Sequence, residues 1–177
     1  VRVTDKLGEA LSNNPEYDEN SNRAFASATN DIDRNSHDRV DYLNDGNHSE
    51  NHRWTNWSPT PSSNPEVSTG VIFRENGKIV ERTVAQAKLH FFADSGTDAP
   101  SKLVLERYIG PDFEVPTYYS NYQAYDAAHP FNNPENWEAV PYRADKDIEA
   151  GDEINVTFKA VKAKAMRWRM ERKADKK

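Results

Sequence analysis

Residues 154–170 read INVTFKAVKAKAMRWRM, and this stretch decides the fold class. Apolar side chains recur at every second position in both of its parts: Ile154, Val156 and Phe158 first, then Met166, Trp168 and Met170. A period of two places such side chains on one face of a β-strand. Lys, Ala, Met and Arg also favour helices, so a helix in the second part is an open alternative. The strict alternation favours two strands.

Shorter segments with apolar or alternating residues precede this stretch. They predict further strands at 23–29, 67–73, 78–84, 84–92 and 102–108. Asn76-Gly77 separates two of them and is a strong hairpin signal. Trp137 opens one more short strand. Short strands separated by loops predict an all-β fold, an antiparallel β-sandwich. We expect a polar lead-in over 1–22 and the sandwich over 23–177.

The composition narrows the class of protein. A chain of 177 residues suits one domain. Only 36% of its residues are hydrophobic and the mean hydropathy is -0.98. The eight tyrosines, seven phenylalanines and four tryptophans nevertheless argue against disorder. The net charge of -6 disfavours nucleic acid as a partner, and the lack of cysteine excludes disulfides and thiolate metal sites.

Basic residues gather near the end of the chain and alternate with apolar ones. They are Lys159, Lys162, Lys164, Arg167, Arg169, Arg172 and Lys173. The alternation favours a solvated strand face over a phosphate site. No apolar run approaches the roughly 20 residues that cross a bilayer, so we expect no membrane insertion. The chain starts at Val1 and ends on Lys177, and we expect a module cut from a longer polypeptide.

An oxygen-rich turn lies at Asn44-Asp45-Gly46-Asn47. Asp45 and Glu50 could offer carboxylates, and Tyr42 and Asn47 backbone carbonyls, to a hard cation such as calcium. The alternative is a plain turn, because Asn-Asp-Gly bends without a metal. The spacing is not that of an EF-hand loop, so the residues alone favour the plain turn. Both interpretations stay open.

Two tryptophans follow the turn, at Trp54 and Trp57. Positions i and i+3 of a strand face opposite sides. We therefore assign Trp54 to the core and Trp57 to the surface, where an aromatic face could stack on a sugar ring. The alternative is that both are buried.

A second aromatic group and several polar residues complete the candidate site. The loop 116–125 holds four tyrosines, of which Tyr118, Tyr119 and Tyr122 are the candidates for stacking. Tyrosine offers a large contact area and a hydroxyl at low entropic cost, although some of these rings could simply anchor the loop. The candidate polar contacts are Asn56, His48 and Asp94, and an ordinary turn carboxylate is the alternative role for Asp94.

Catalysis finds little support in the sequence. No Gly-x-Ser-x-Gly elbow, phosphate loop or His-Glu-x-x-His helix occurs. A glycosidase would need two carboxylates facing across a cleft, which a sequence cannot show. We expect a binding module with no catalytic residues. A protein-interaction or scaffold module that uses the same tyrosine loop is the alternative.

Four segments resemble discoidin-like (coagulation factor 5/8 type C) galactose-binding domains. They are 43–47 with Trp54, 92–96 with Pro100, 137–140 and 156–167. The resemblance implies a jelly-roll sandwich and a structural calcium at the Asp-Gly turn, with Asp45 as side-chain ligand and Tyr42 and Asn47 as carbonyl donors. A final strand that usually supplies a further ligand has no obvious counterpart before Lys177.

Residues 42–61 and 131–137 more closely resemble the family 71 carbohydrate-binding modules of a bacterial surface β-galactosidase. This resemblance implies an ancillary module that recognises terminal β-galactose in lactose or N-acetyllactosamine. Such a module would hold its parent enzyme on host glycans at the cell surface and assist adherence. We expect it to be extracellular and monomeric, with galactose-terminated glycans as its partners.

Overall fold

The computed structural model describes residues 2–5, 22–27, 40–49, 52–58, 65–116 and 127–176. Eleven strands occur there: β1 Arg2–Asp5, β2 Arg23–Ala26, β3 Glu66–Ile72, β4 Arg74–Glu75, β5 Lys78–Ile79, β6 Arg82–Leu89, β7 Lys102–Tyr108, β8 Trp137–Ala139, β9 Tyr142–Ala144, β10 Ile154–Ala163 and β11 Ala165–Glu171. Three short 3-10 turns accompany them: Val40–Asn44, Pro130–Asn132 and Pro134–Asn136. Among the described residues, no helix is long and apolar enough to span a membrane.

The strands form two antiparallel sheets. One has four strands in the order β1-β6-β10-β9, and the other has five in the order β2-β3-β11-β7-β8. The prediction of an all-β sandwich is confirmed. Both parts of the stretch 154–170 are strands, so the helical alternative for its second part is wrong. The two strands belong to different sheets.

The main core lies between the sheets and follows the period of two. Val156 of β10 and Met166, Trp168 and Met170 of β11 are all buried in it. The Trp168 ring meets Tyr142 of β9 edge to face, with centroids 5.1 Å apart. The Tyr142 hydroxyl donates to the Leu103 carbonyl at 2.8 Å. Aromatic burial and strand alternation therefore hold the two sheets face to face.

The Asn76-Gly77 turn forms as predicted, but the two longer strands on either side of it do not pair with each other. Both residues have positive φ, 50° and 75°, as a type I′ hairpin requires. The hairpin consists only of β4 and β5. The longer strand before it pairs with β2 and β11, and the longer strand after it pairs with β1 and β10. The turn thus carries the chain from one sheet to the other.

The late basic residues do not all lie on a solvated face. Lys159 and Lys162 are exposed, but Arg167 is only 7% exposed. Its Nε donates to Glu106 Oε1 at 2.9 Å, and its guanidinium lies 4.1 Å from the centre of the Trp137 ring. The outer face of β11 is covered at this point by the segment after residue 127, since Arg167 also donates to the Phe131 carbonyl.

An aromatic cluster closes the end of the sandwich at which β7 ends and β11 begins. It contains Phe25, Tyr108, Phe113, Phe131 and Trp137. Phe113 and Val115, shortly before the tyrosine loop in sequence, pack against this cluster. Tyr118, Tyr119 and Tyr122 themselves lie outside the described residues.

We expect Glu106→Gln to destabilise the fold by about 3 kcal/mol, because it leaves the buried Arg167 charge without its carboxylate. Urea unfolding measures the change. Glu138→Gln is the matched control, since Glu138 also accepts from an arginine, Arg107, but its side chain is 51% exposed. That control should change stability by less than about 1 kcal/mol. Equal effects of the two substitutions would contradict a special role for the buried pair.

Candidate functional site

A pocket of about 170 Å³ opens at the opposite end of the sandwich from the aromatic cluster, where β3 begins and β11 ends. The segments 42–49 and 52–56 form one wall. The rest of the lining comes from Val67 and Thr69 of β3, residues 90–92 after β6, residues 97, 98 and 100 before β7, and residues 170–173 and 176 from the end of β11. The pocket therefore lies at the strand ends of both sheets, where β6 ends and β3 begins. A strand of seven residues, such as β7, separates the two ends by roughly 20 Å.

Contacts between the last strand and the loop before β7 hold the walls in place. Ser101 Oγ donates to the Glu171 carbonyl at 3.1 Å, and Lys173 Nζ donates to Asp98 Oδ2 at 2.8 Å. The Lys173 hydrogen bond is the main reason why the pKa of Asp98 lies below its usual value. These bonds fix the residues that follow β11 against the pocket.

The Asn-Asp-Gly-Asn turn is held by its own side chains. Gly46 takes the positive φ of 77°. Asp45 Oδ1 accepts the Asn47 N–H at 2.8 Å, and Asn47 Oδ1 accepts the Ser49 N–H at 2.9 Å. Asp45 Oδ2 lies 2.8 Å from His52 Nδ1. Such side-chain bonds to the following backbone are typical of a plain turn.

The described residues do not by themselves fit a calcium cage. Calcium takes about six to eight oxygen ligands, whereas Asp45 has both carboxylate oxygens engaged, one of them by a ring nitrogen. Within the described ranges no three acidic, histidine or cysteine residues are grouped as metal ligands would be. Glu50 lies outside the described residues. Tyr42 and Asn47 do line the pocket, and calcium stays a prediction.

Two ring pairs line the pocket, one stacked and one tilted. His48 and His90 lie face to face with centroids 4.5 Å apart, and Tyr42 and His52 lie 4.3 Å apart. Asn56 lines the pocket beside them. The predicted polar residues His48 and Asn56 are thus brought together with Tyr42, Asp45 and Asn47.

Trp57 lies outside the pocket and Trp54 forms part of its wall. Trp54 packs against the main core, and Trp57 is 36% exposed, so the predicted inward and outward assignments are confirmed. The Trp57 ring lies directly over Gly96, where a Cβ atom would come within 2.5 Å of its Nε1. Any larger residue at position 96 would push the exposed ring away.

Asp94 organises the loop beneath Trp57. Its Oδ1 accepts the N–H groups of Gly96 and Thr97, both at 2.8 Å, and the Thr97 hydroxyl at 3.0 Å. Its Oδ2 lies 3.5 Å from Arg53 Nη1, and the Arg53 guanidinium stacks on Phe92 at 4.6 Å. Desolvation alone would raise the pKa of Asp94, but these hydrogen bonds and Arg53 lower it below its usual value.

Several pocket residues were not among the sequence candidates: Asn44, Arg53, Thr69 and His90. Thr69 carried a usable signal, because it lies in phase with Val67 and Val71 on a strand whose other in-phase residues are apolar. A polar side chain at such a position faces the interior. His90 and Arg53 carried no comparable signal.

The sandwich, its end pocket and the exposed ring beside it define a carbohydrate-binding module. A family model described as the β-galactosidase-like galactose-binding domain matches residues 24–177, and the chain belongs to this family of ancillary, non-catalytic domains.

A solved structure from work on the Streptococcus pneumoniae β-galactosidase BgaA is 93% identical in sequence, with a TM-score of 0.86. The match covers 89% of this chain and 91% of the other. No curated protein matches.

The predicted calcium at this turn can be tested directly. Thermal unfolding is compared in EDTA and in millimolar CaCl₂, and an equal midpoint would show that the Asp45 bonds hold the turn without a metal. A midpoint that rises with calcium, and rises no longer in Asp45→Asn, would show instead that Glu50 and backbone carbonyls complete a cage.

The Asp94 carboxyl should titrate below 3.8, its usual value, in an NMR pH titration. The stabilisation from its hydrogen bonds is present above the unfolded-state pKa and is lost as the pH falls through the lower, folded-state pKa. Thr97→Val removes one of these hydrogen bonds and should move the pKa upward. A midpoint at or above 3.8 in the unmodified protein would contradict the geometry.

Proposed function

We propose that this module recognises a terminal β-galactose unit, as in lactose or N-acetyllactosamine. The supporting observation is an exposed tryptophan, Trp57, next to a pocket lined by His48, Asn56 and Arg53. A pyranose has an apolar C–H face and a rim of hydroxyls. Ligand sites commonly combine an aromatic surface with a few placed polar groups.

The residues divide into two roles at this site. Trp57 supplies the stacking surface, and His48 and Asn56 supply hydrogen bonds from the pocket wall. Asp94 acts indirectly, because its Oδ1 is occupied by the loop and its Oδ2 faces Arg53. Tyr118, Tyr119 and Tyr122 lie outside the described residues, so their part in this site stays a prediction.

The alternative, a protein-interaction module, depends on the tyrosine loop, which lies outside the described residues, and it stays a prediction. In the described part of the chain the large exposed apolar residues are Trp57 and Ile109, at 36% and 48%. Ile109 follows β7 at the aromatic-cluster end, so the two do not form one patch. Protein interfaces generally need a contiguous apolar core.

We also propose the biological setting implied by the family: an extracellular module that holds a surface β-galactosidase on host glycans and assists adherence. A shallow sugar site should bind with a Kd of about 0.1–1 mM, or roughly -4 to -5.5 kcal/mol. Several modules acting together would raise the overall strength of attachment through effective concentration.

Titration calorimetry with lactose, galactose and glucose tests the sugar specificity. We expect saturable binding of the galactosides and none of glucose. Trp57→Ala should weaken lactose binding about tenfold, or about 1.4 kcal/mol, because it removes the stacking surface. Ile109→Ala is the matched control at the other end and should leave the affinity unchanged. A folded module that binds no galactoside would overturn the proposed function.

A further inference from the structure

The exposed Trp57 ring rests against Gly96, and this contact leaves no room for a side chain at position 96. A Cβ atom built on Gly96 would lie 2.5 Å from Trp57 Nε1 and 2.7 Å from its Cδ1. Atoms that are not bonded to each other settle about 3.5–4 Å apart. The ring can therefore keep its present position only while residue 96 is glycine.

Hydrogen bonds hold the backbone on which the ring rests. Asp94 Oδ1 accepts the N–H groups of Gly96 and Thr97, both at 2.8 Å, and the Asp94 N–H donates to the Thr97 carbonyl at 3.0 Å. Lys176 Nζ donates to the Asp94 carbonyl at 3.4 Å, and Arg53 Nη1 lies 3.5 Å from Asp94 Oδ2. Lys176 and Arg53 both line the pocket. Residues 94–97 therefore form a fixed loop, which we call the Trp57 seat, and it is joined to the pocket wall.

The seat meets an edge of the ring rather than a face. Nε1 and Cδ1 form one edge of the five-membered ring, and the next nearest atom, Cε2, lies 3.7 Å from the same point. The contact therefore sets how the ring is turned, while the ring stays 36% exposed. A ring that is already held in one orientation loses less conformational entropy when a ligand stacks on it.

We propose that Gly96 and Asp94 are positioning residues that set the orientation in which Trp57 meets a sugar. This inference rests on the proposed function, because it concerns the stacking surface of the same site. Gly96 contributes by leaving room for the ring, and Asp94 contributes by holding Gly96 in place. Neither residue needs to touch the sugar, so both act on affinity through Trp57. The ligand class is one with an apolar C–H face, as a β-galactoside has.

Fluorine NMR tests whether Gly96 sets the position of the ring. The chain has four tryptophans, so labelling with fluorotryptophan gives four signals, and Trp57→Phe identifies the signal of Trp57. Gly96→Ala should shift that signal in the absence of sugar and leave the signals of Trp54, Trp137 and Trp168 in place. This measurement does not depend on any ligand.

Lactose titrations test whether the position of the ring matters for binding. Gly96→Ala should weaken lactose binding about tenfold, because the displaced ring no longer faces the sugar. In the Trp57→Ala background the same substitution should cause no further loss, since residues that act through one side chain are not additive. Asp94→Ala adds no atoms but removes the side-chain bonds to Gly96, and it should behave in the same way. It decides the result if Gly96→Ala fails to fold.

Two matched controls accompany these variants. Gly110→Ala is the steric control, since a Cβ atom there would lie 2.5 Å from Asn136 Cγ and 2.7 Å from Tyr108 Oη, at the aromatic-cluster end. It should lower the unfolding midpoint and leave the Trp57 signal and the lactose affinity unchanged. Ser95→Ala is the positional control, since Ser95 is an exposed residue of the Trp57 seat. It should change none of these quantities.

The outcomes separate this inference from the proposed function. If the unmodified protein binds lactose, and Gly96→Ala and Asp94→Ala bind it within twofold of the same affinity, this inference alone is overturned. It is also overturned if either substitution weakens binding as much without Trp57 as with it. If the unmodified protein binds no galactoside, the proposed function and the positioning role are overturned together. A shifted Trp57 signal, with a loss of affinity that depends on Trp57, supports both.

Discussion

The structure depends on the one-residue connection at Lys164 between β10 and β11. These consecutive strands are interior members of different sheets, each paired on both sides. Ala163 and Ala165 are both buried, where larger side chains would keep the strands apart. The Lys164 carbonyl accepts the Phe73 N–H at 2.9 Å, so the chain leaving β3 is joined to the same corner. This corner therefore sets how the two sheets lie relative to each other.

The binding end is a consequence of that arrangement. β11 begins at the corner and ends at the pocket, where Met170 and the residues after it form part of the wall. The antiparallel neighbour β3 begins at the same end and carries Thr69. The pocket therefore stands on the ordered ends of interior strands, although most of its lining comes from loops. A rigid base under adaptable loops is a common arrangement for binding sites.

The buried polar groups at the two ends of the sandwich differ in their hydrogen bonding. At the aromatic-cluster end, Arg167 is paired with Glu106 and stacked on Trp137, and the Trp137 N–H has its own acceptor. At the pocket end, atoms of Asn44, Trp54 and Thr69 lack such partners within the described chain. Unpaired buried polar groups reduce stability.

The sequence by itself determined the fold class and the main strands. These features depend on local periodicity, which residues 154–170 and the Asn76-Gly77 turn display directly. It also predicted His48 and Asn56 as site residues, and both line the pocket. Tertiary structure alone decided that β10 and β11 belong to different sheets, that Arg167 is buried, and that Asp94 is occupied by its own loop. It also brought Thr69 of β3 into one pocket with Asn44 and His90. Strand pairing joins residues distant in sequence, and no local pattern encodes which partners meet.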